Sequence, residues 1–209
     1  LVDNIRALAI HSHIIFLQET HLNHLDYTSL NNILPGWLAY YSNKSSRSAG
    51  VATLLSPRVH KAYTVSFPPI AAEAQGHALP LLLTPREPHD PTVLLHNLYL
   101  PTGTQHSERL ADVLDACALL PPATHNIAAG DINFVDLAAD TSAARPHSLS
   151  ARARKSWCRF LELFRLKETV QPLHTFFRIT DTLVHSRSAR LDRVFHSLDE
   201  VDRQLFQPT

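Results

Sequence analysis

Ile14-Ile15-Phe16-Leu17-Gln18-Glu19-Thr20 is the stretch whose reading decides the fold. Four successive large apolar residues are too few for a helix. They also lack the polar alternation of a half-solvated strand, so the run predicts a strand covered on both faces. Such a strand needs a layer of structure on each side. The residues just before it, 3–11, read as a short helix with Ile5, Leu8 and Ala9 on one side.

Outward from this stretch, strands are predicted at residues 37–41, 51–55, 63–67, 79–83 and 93–100, separated by Pro, Gly and Ser clusters. Residues 106–120 give the clearest helix. Leu110, Val113, Leu114 and Cys117 follow the i, i+3, i+4, i+7 spacing, and Pro121-Pro122 stop it. Residues 127–129 read as a short strand ending at Gly130, and residues 140–150 as a loop. Trp157, Phe160, Leu161 and Phe164 mark a second amphipathic helix, and residues 175–178 and 191–195 two closing strands around an Arg/Ser loop. With no internal repeat and no dividing linker, the expected class is α/β (α+β), as one domain over residues 1–209.

Composition excludes several classes. The chain has 209 residues and 44% are apolar, which is too many for a disordered chain. Cys117 and Cys158 lie too far apart for a zinc ribbon and are too few for a disulfide framework. That usage suits a reducing compartment and predicts an intracellular protein, nuclear or cytoplasmic. No apolar run approaches the roughly 20 residues of a membrane span, so no membrane partner is expected. The absence of methionine, even at position 1, fits chance or a processed start, or more sharply an interior piece of a longer protein.

Nineteen Lys+Arg balance 19 Asp+Glu, but the zero is a cancellation. Residues 1–144 hold 7 basic and 12 acidic side chains, whereas residues 145–209 hold 12 basic and 7 acidic. Eleven of the basic residues fall between Arg145 and Arg193, a candidate face for a phosphate backbone. His11-x-His13 and His21-x-x-His24 have neither the helical i, i+4 spacing nor the cysteine partners of a zinc site and are expected to be scattered surface histidines.

Polar residues at the ends of the apolar strands carry the chemistry. Glu19 ends the first strand, where a carboxylate either makes a structural hydrogen bond or lines a site. In Gly130-Asp131-Ile132-Asn133, a continuing strand would aim Asp131 and Asn133 at one point, suited to a hard cation, a phosphate oxygen or a water. The alternative is an Asx turn after Gly130. Asn97 and Tyr99 share one face of the strand that ends in Asn97-Leu98-Tyr99-Leu100-Pro101. Arg190-Leu191-Asp192 opens the last strand.

Gln-Glu-Thr at 18–20, Gly50-Val51-Ala52, Asn-x-Tyr-x-Pro at 97–101, Gly-Asp-x-Asn at 130–133 and Ser-x-x-Arg-Leu-Asp at 187–192 occur in an order that resembles the exonuclease–endonuclease–phosphatase superfamily. Within it the chain is most similar to the apurinic-type endonuclease domain of non-LTR retrotransposons. His174-Thr175-Phe176-Phe177 favours that branch over the lipid-phosphatase branch. The resemblance implies a four-layer sandwich of two facing β-sheets flanked by helices. It also implies Mg2+-dependent hydrolysis of a phosphodiester, with Mn2+ as a substitute, on DNA as partner. In the parent chain, a reverse transcriptase region of the same polyprotein is implied.

Carried over residue by residue, Glu19 resembles the metal ligand and Tyr99 the tyrosine at the scissile phosphate. Asp131 resembles the aspartate that orients or deprotonates water, Asn133 its amide partner, and Asp192 the aspartate that orients a histidine. Asn97, Arg187 and Arg190 are the expected substrate contacts. The family's first strand, with its asparagine, and the Ser-Asp-His-like closing motif have no counterpart in these 209 residues, so a domain trimmed at both ends and a weakened or inactive fragment are expected. His196 lies too near Asp192 to replace the histidine, and Thr102 stands where asparagine is common. A lipid or inositol phosphatase of the same fold, or a decayed and inactive retroelement copy, are the competing expectations.

Overall fold

The computed structural model describes residues 2–21, 32–44, 49–101, 107–134, 149–169 and 191–199, and the backbone of 176–178 and 187–189. Helix α1 (Val2–His11) leads into β1 (Ile14–Leu17), followed by β2 (Leu38–Ser42), β3 (Val51–Leu55), a short α2 (Pro57–Ala62) and β4 (Tyr63–Ser66). A single 3-10 turn at Ala72–Ala74 precedes β5 (Ala78–Pro85) and β6 (Val93–Tyr99). Then come α3 (Ser107–Cys117), β7 (His125–Asp131), α4 (Ala151–Leu163), β8 (Lys167–Glu168), β9 (Phe176–Arg178), β10 (Arg187–Ala189) and β11 (Asp192–His196).

The strands form a three-stranded sheet in the order β1-β3-β2 and a six-stranded sheet in the order β4-β5-β6-β7-β11-β8. All described pairings are antiparallel except β6 with β7, and α3 makes the crossover between those two. The two predicted closing strands do not pair with each other. β9 pairs with β10, whereas β11 enters the large sheet between β7 and β8.

Three apolar clusters show why the elements stack as they do. Ile5 of α1 packs with Ile15, Ala52 and Leu54 on the outer face of the small sheet. Val51 and Leu55 of β3 meet Leu79, Leu81, Leu83 and Leu95 between the two sheets. On the outer face of the large sheet, Leu94, Leu98 and Phe195 pack under Leu110, Leu114, Trp157, Phe160 and Phe164 of the α3–α4 layer. The result is helix, sheet, sheet, helices: the four-layer sandwich implied by the motifs.

Period-two alternation produces this arrangement. In β3, Val51 and Leu55 face the large sheet while Ala52 and Leu54 face α1. β1 does the same, with Ile14 and Phe16 against the inter-sheet cluster and Ile15 in the outer one. The strand is therefore covered on both faces, as predicted. It is nevertheless only half-buried apart from Ile15, because it forms an edge of the small sheet.

The helix α4 starts at Ser150, whose Oγ accepts a hydrogen bond from the Ala153 amide at 3.2 Å. Its exposed Arg152 reaches across to α3, donating to Glu108 at 2.7 Å and Asp112 at 2.6 Å. Arg193 of β11 is only 3% exposed and forms a two-pronged pair with Glu168 of β8, with its guanidinium 5.1 Å from the Phe195 ring. Two arginines of the basic segment are thus taken up in ion pairs within the protein, Arg152 at the surface and Arg193 buried. Arg154, Lys155, Arg159, Arg165 and Lys167 remain exposed along and just after α4. Neither cysteine forms a disulfide: Cys117 is buried and Cys158 exposed. Among the described residues, no helix is long and apolar enough to cross a membrane.

Candidate active site

Alternation and register together decide which polar side chains meet. Along β6, Leu94 and Leu98 point to the helical layer, so Asn97 and Tyr99 point between the sheets. Tyr99 is in register with Asp131 of β7, and Asp131 with Asp192 of β11. Three neighbouring strands therefore bring Tyr99, Asp131 and Asp192 to one level at the rim of the large sheet. Glu19 arrives from the other sheet, two residues past the end of β1, and accepts a hydrogen bond from the Tyr99 hydroxyl.

Backbone strain marks both acidic corners. Glu19 has φ +49° and Asn133 φ +57°, left-handed values uncommon outside glycine. At Glu19 the turn breaks the strand direction, and the next amides, of Thr20 and His21, bond back to Gly50 and Ala49 of the strand-entry loop. At Asn133 the strand has already ended at Asp131. The Asn133 amide donates to Asp131 Oδ1 at 3.1 Å, and its Nδ2 donates to the Leu100 carbonyl at 2.9 Å. The two residues meet through an Asx turn rather than through a continued strand, the alternative the sequence left open.

Gly130 is required by the same geometry. Its φ is +150°, and a Cβ there would lie 1.8 Å from the Leu98 carbonyl oxygen. Only glycine lets β7 run this close to β6.

The site is electrostatically crowded. Burial, reinforced by the Asp192 and Glu19 charges, pushes the Asp131 carboxyl up to about 6, against the opposing effect of the Asn133 hydrogen bonds. Tyr99 is pushed above the usual phenol range by burial, by its hydrogen bond to Glu19 and by the Glu19 and Asp131 charges. Its ring stacks on His77 at 5.7 Å, and a hydrogen bond of 2.8 Å links His77 Nδ1 to the Tyr99 carbonyl. His77 is buried, and nothing in its sequence context distinguishes it from the surface histidines.

The expected site residues separate into three groups. Glu19, Tyr99, Asp131, Asn133 and Asp192 come together at the rim. Asn97 is a correction: it is fully buried, and its carboxamide is taken up inside the protein, so it has no face to offer a substrate. Its Nδ2 donates to the Ala52 carbonyl at 2.8 Å, Thr53 Oγ1 at 3.2 Å and the Leu17 carbonyl at 3.3 Å. Its Oδ1 accepts from Gln18 Nε2 at 2.7 Å. Arg187 lies in β10, but its side chain is outside the described residues, as is the whole of Arg190. His196 shares β11 with Asp192, four residues further along the strand. His11, His13 and His21 are exposed, whereas His24 falls outside the described residues.

The fold and the rim define a four-layer sandwich of two facing sheets flanked by helices, with a carboxylate-rich site where the edges of the two sheets meet. Residues 1–205 match the Endonuclease/Exonuclease/phosphatase family, and the chain belongs to it. Phosphodiester hydrolysis is the class of reaction this membership supports.

Solved structures share the fold. The endonuclease domain of TRAS1, a telomere-specific non-LTR retrotransposon, is 16% identical with a TM-score of 0.62, covering 96% of this chain and 80% of that one. The AP endonuclease LMAP from Leishmania major is 16% identical with a TM-score of 0.66, covering 94% and 75%. The 3' phosphatase NExo from Neisseria, bound to a product DNA hairpin, is 16% identical with a TM-score of 0.63, covering 94% and 81%. No curated protein matches the chain.

Proposed function

We propose that this domain is a DNA endonuclease of the retroelement type, hydrolysing phosphodiesters with the help of a divalent cation, Mg2+ or in its place Mn2+. The observation that carries the reading is the convergence of Glu19, Tyr99, Asp131 and Asp192 from two facing sheets onto one rim. The basic side chains along α4 and the likeness to nucleases that act on DNA support a nucleic-acid substrate.

The donor set fits a hard cation. Three carboxylates gather at the rim; burial first, and then the Asp192 and Glu19 charges, raise the Asp131 carboxyl, and a cation would relieve the charge repulsion among them. Among the described residues, no group of three or more His, Cys, Asp and Glu side chains could hold a metal ion by itself. Mg2+ is commonly bound through one or two carboxylates, with water and substrate phosphate completing its shell. Glu19 would hold the ion, which supplies charge neutralisation at the phosphate when bound.

Asp131 acts on the attacking water, held in aim by Asn133 and accepting the water proton as the new P–O bond forms and the bond to the leaving oxygen breaks. Phosphate entry moves the Tyr99 hydroxyl's hydrogen bond from Glu19 to a phosphate oxygen, which frees the Glu19 carboxylate. Asp192, in register beside Asp131, stands where the family's histidine-orienting aspartate would, and Arg187 and Arg190 are assigned to the DNA backbone.

Supercoiled-plasmid nicking with Mg2+ tests this reading. Nicked circles that disappear with EDTA or in Asp131→Ala are expected. Nicking that survives either change refutes the assignment, and faster phosphate release from inositol polyphosphates than nicking of DNA would move the protein to the phosphatase branch.

A further inference from the structure

We infer that Asn97, together with Gln18, is a positioning residue that fixes the distance between the two halves of the site by bridging the facing sheets directly beneath Glu19 and Tyr99. The inference rests on the reading of Glu19 and Tyr99 as site residues. Asn97 belongs to the large sheet, and among the described residues every hydrogen bond of its carboxamide reaches the small sheet or Gln18, the residue that follows β1. Its partners are the Leu17 and Ala52 carbonyls, paired in register between β1 and β3, the Thr53 hydroxyl, and the Gln18 side chain next in line to Glu19.

The geometry gives this bridge leverage over the chemistry. Tyr99 lies two residues past Asn97 on the same strand face, and Glu19 two residues past Leu17. The Tyr99–Glu19 hydrogen bond therefore closes a ring whose opposite side is the Asn97 bridge. Most of the remaining inter-sheet contact is apolar and non-directional, centred on Val51, Leu55, Leu79, Leu81, Leu83 and Leu95, and such contacts tolerate small slides. Other directional links, from Gly76 to Ser42 and Gly50, lie at the entry to β5, away from Glu19 and Tyr99 in sequence. A buried carboxamide with four polar contacts does not tolerate such slides, because a shift leaves donors and acceptors unsatisfied.

The test uses the full chain with 13C-labelled tyrosine. The Cζ resonance of Tyr99, assigned through Tyr99→Phe, reports its hydrogen bond to a carboxylate at neutral pH, and Glu19→Gln gives the value without that acceptor. In Asn97→Ala the resonance is expected to move toward the Glu19→Gln value. The kcat for nicking is expected to fall about 100-fold while KM for DNA is little changed, the signature of misplacement rather than lost binding. Gln18→Ala, which removes one contact from a half-buried side chain, is expected to shift both readouts the same way by less, and decides the question alone if Asn97→Ala does not fold. Folded variants that lose thermal stability but keep the Tyr99 resonance and kcat of the wild type overturn the inference. If the chain cuts no DNA at all, the endonuclease reading fails while the resonance still decides the bridge.

Discussion

Asp131→Asn is expected to make the protein more stable and inactive at once. In the folded chain the Asp131 carboxyl is raised from 3.8 to about 6 by burial, Asp192 and Glu19. A carboxyl with a raised folded pKa opposes folding when it is ionised. Below pH 3.8 it is protonated in both states and contributes no difference; between about 4 and 6 the penalty grows, and above about 6 it is fully present. The rise corresponds to about 3 kcal/mol at most, and the partly open position of the carboxylate brings the expected gain to about 1–2 kcal/mol.

Asparagine keeps the Oδ1 acceptor for the Asn133 amide, so the turn survives the substitution. For a domain of this size the gain is a rise in Tm of about 3–6 °C at pH 8 and none near pH 3.5. Differential scanning calorimetry across that range, beside the nicking assay, reads both effects. Added Mg2+ is expected to narrow the gap by stabilising the wild type more than the variant. A variant no more stable than wild type at pH 8, or equally stabilised at both pH values, refutes the account of a repulsive carboxylate cluster.

Gly130→Ala places a methyl group 1.8 Å from the Leu98 carbonyl oxygen, and loss of soluble folded protein, read by circular dichroism, is expected. His96 is fully buried against Phe160 and Phe164 with neither ring nitrogen hydrogen-bonded among the described residues, and burial holds its pKa down at about 3. Above the ordinary histidine value the ring is neutral in both states and makes no difference; as pH falls from 6.5 toward 3 only the unfolded chain takes up the proton, and stability is lost. His96→Leu should abolish that part of the acid limb in a urea titration and raise stability by about 1–3 kcal/mol at pH 5. Arg193→Leu leaves Glu168 without its buried partner and is expected to cost about 3–5 kcal/mol in urea denaturation, with much of the loss recovered in the Arg193→Leu, Glu168→Leu double variant.

Apolar patterning was enough to read the layers. The run at residues 14–17 announces a strand covered on both faces, the runs at 51–55, 79–83 and 93–100 announce further strands, and Leu110, Val113, Leu114 and Cys117 announce an amphipathic helix. Glu19, Tyr99 and Asp131 were legible because each sits at the end of such a strand, where backbone order stops and side chains reach the rim.

What the sequence determined is periodicity: which residues alternate, where strands end, and which polar groups stand at those ends. Only the tertiary structure decided the pairings. The parallel register of β6 with β7 and the antiparallel register of β7 with β11 bring Tyr99, Asp131 and Asp192 level, although they are far apart in the chain. Asn97 and Tyr99 have the same local pattern and point to the same side. Asn97 is sealed between the sheets because Leu17, Ala52 and Thr53 close over it, whereas Tyr99 emerges two residues later beside Glu19. The burial of His77, His96 and Arg193 was likewise set by neighbours distant in sequence. Local propensity acts over a few residues, whereas a sheet's register is fixed by the packing of all its strands at once.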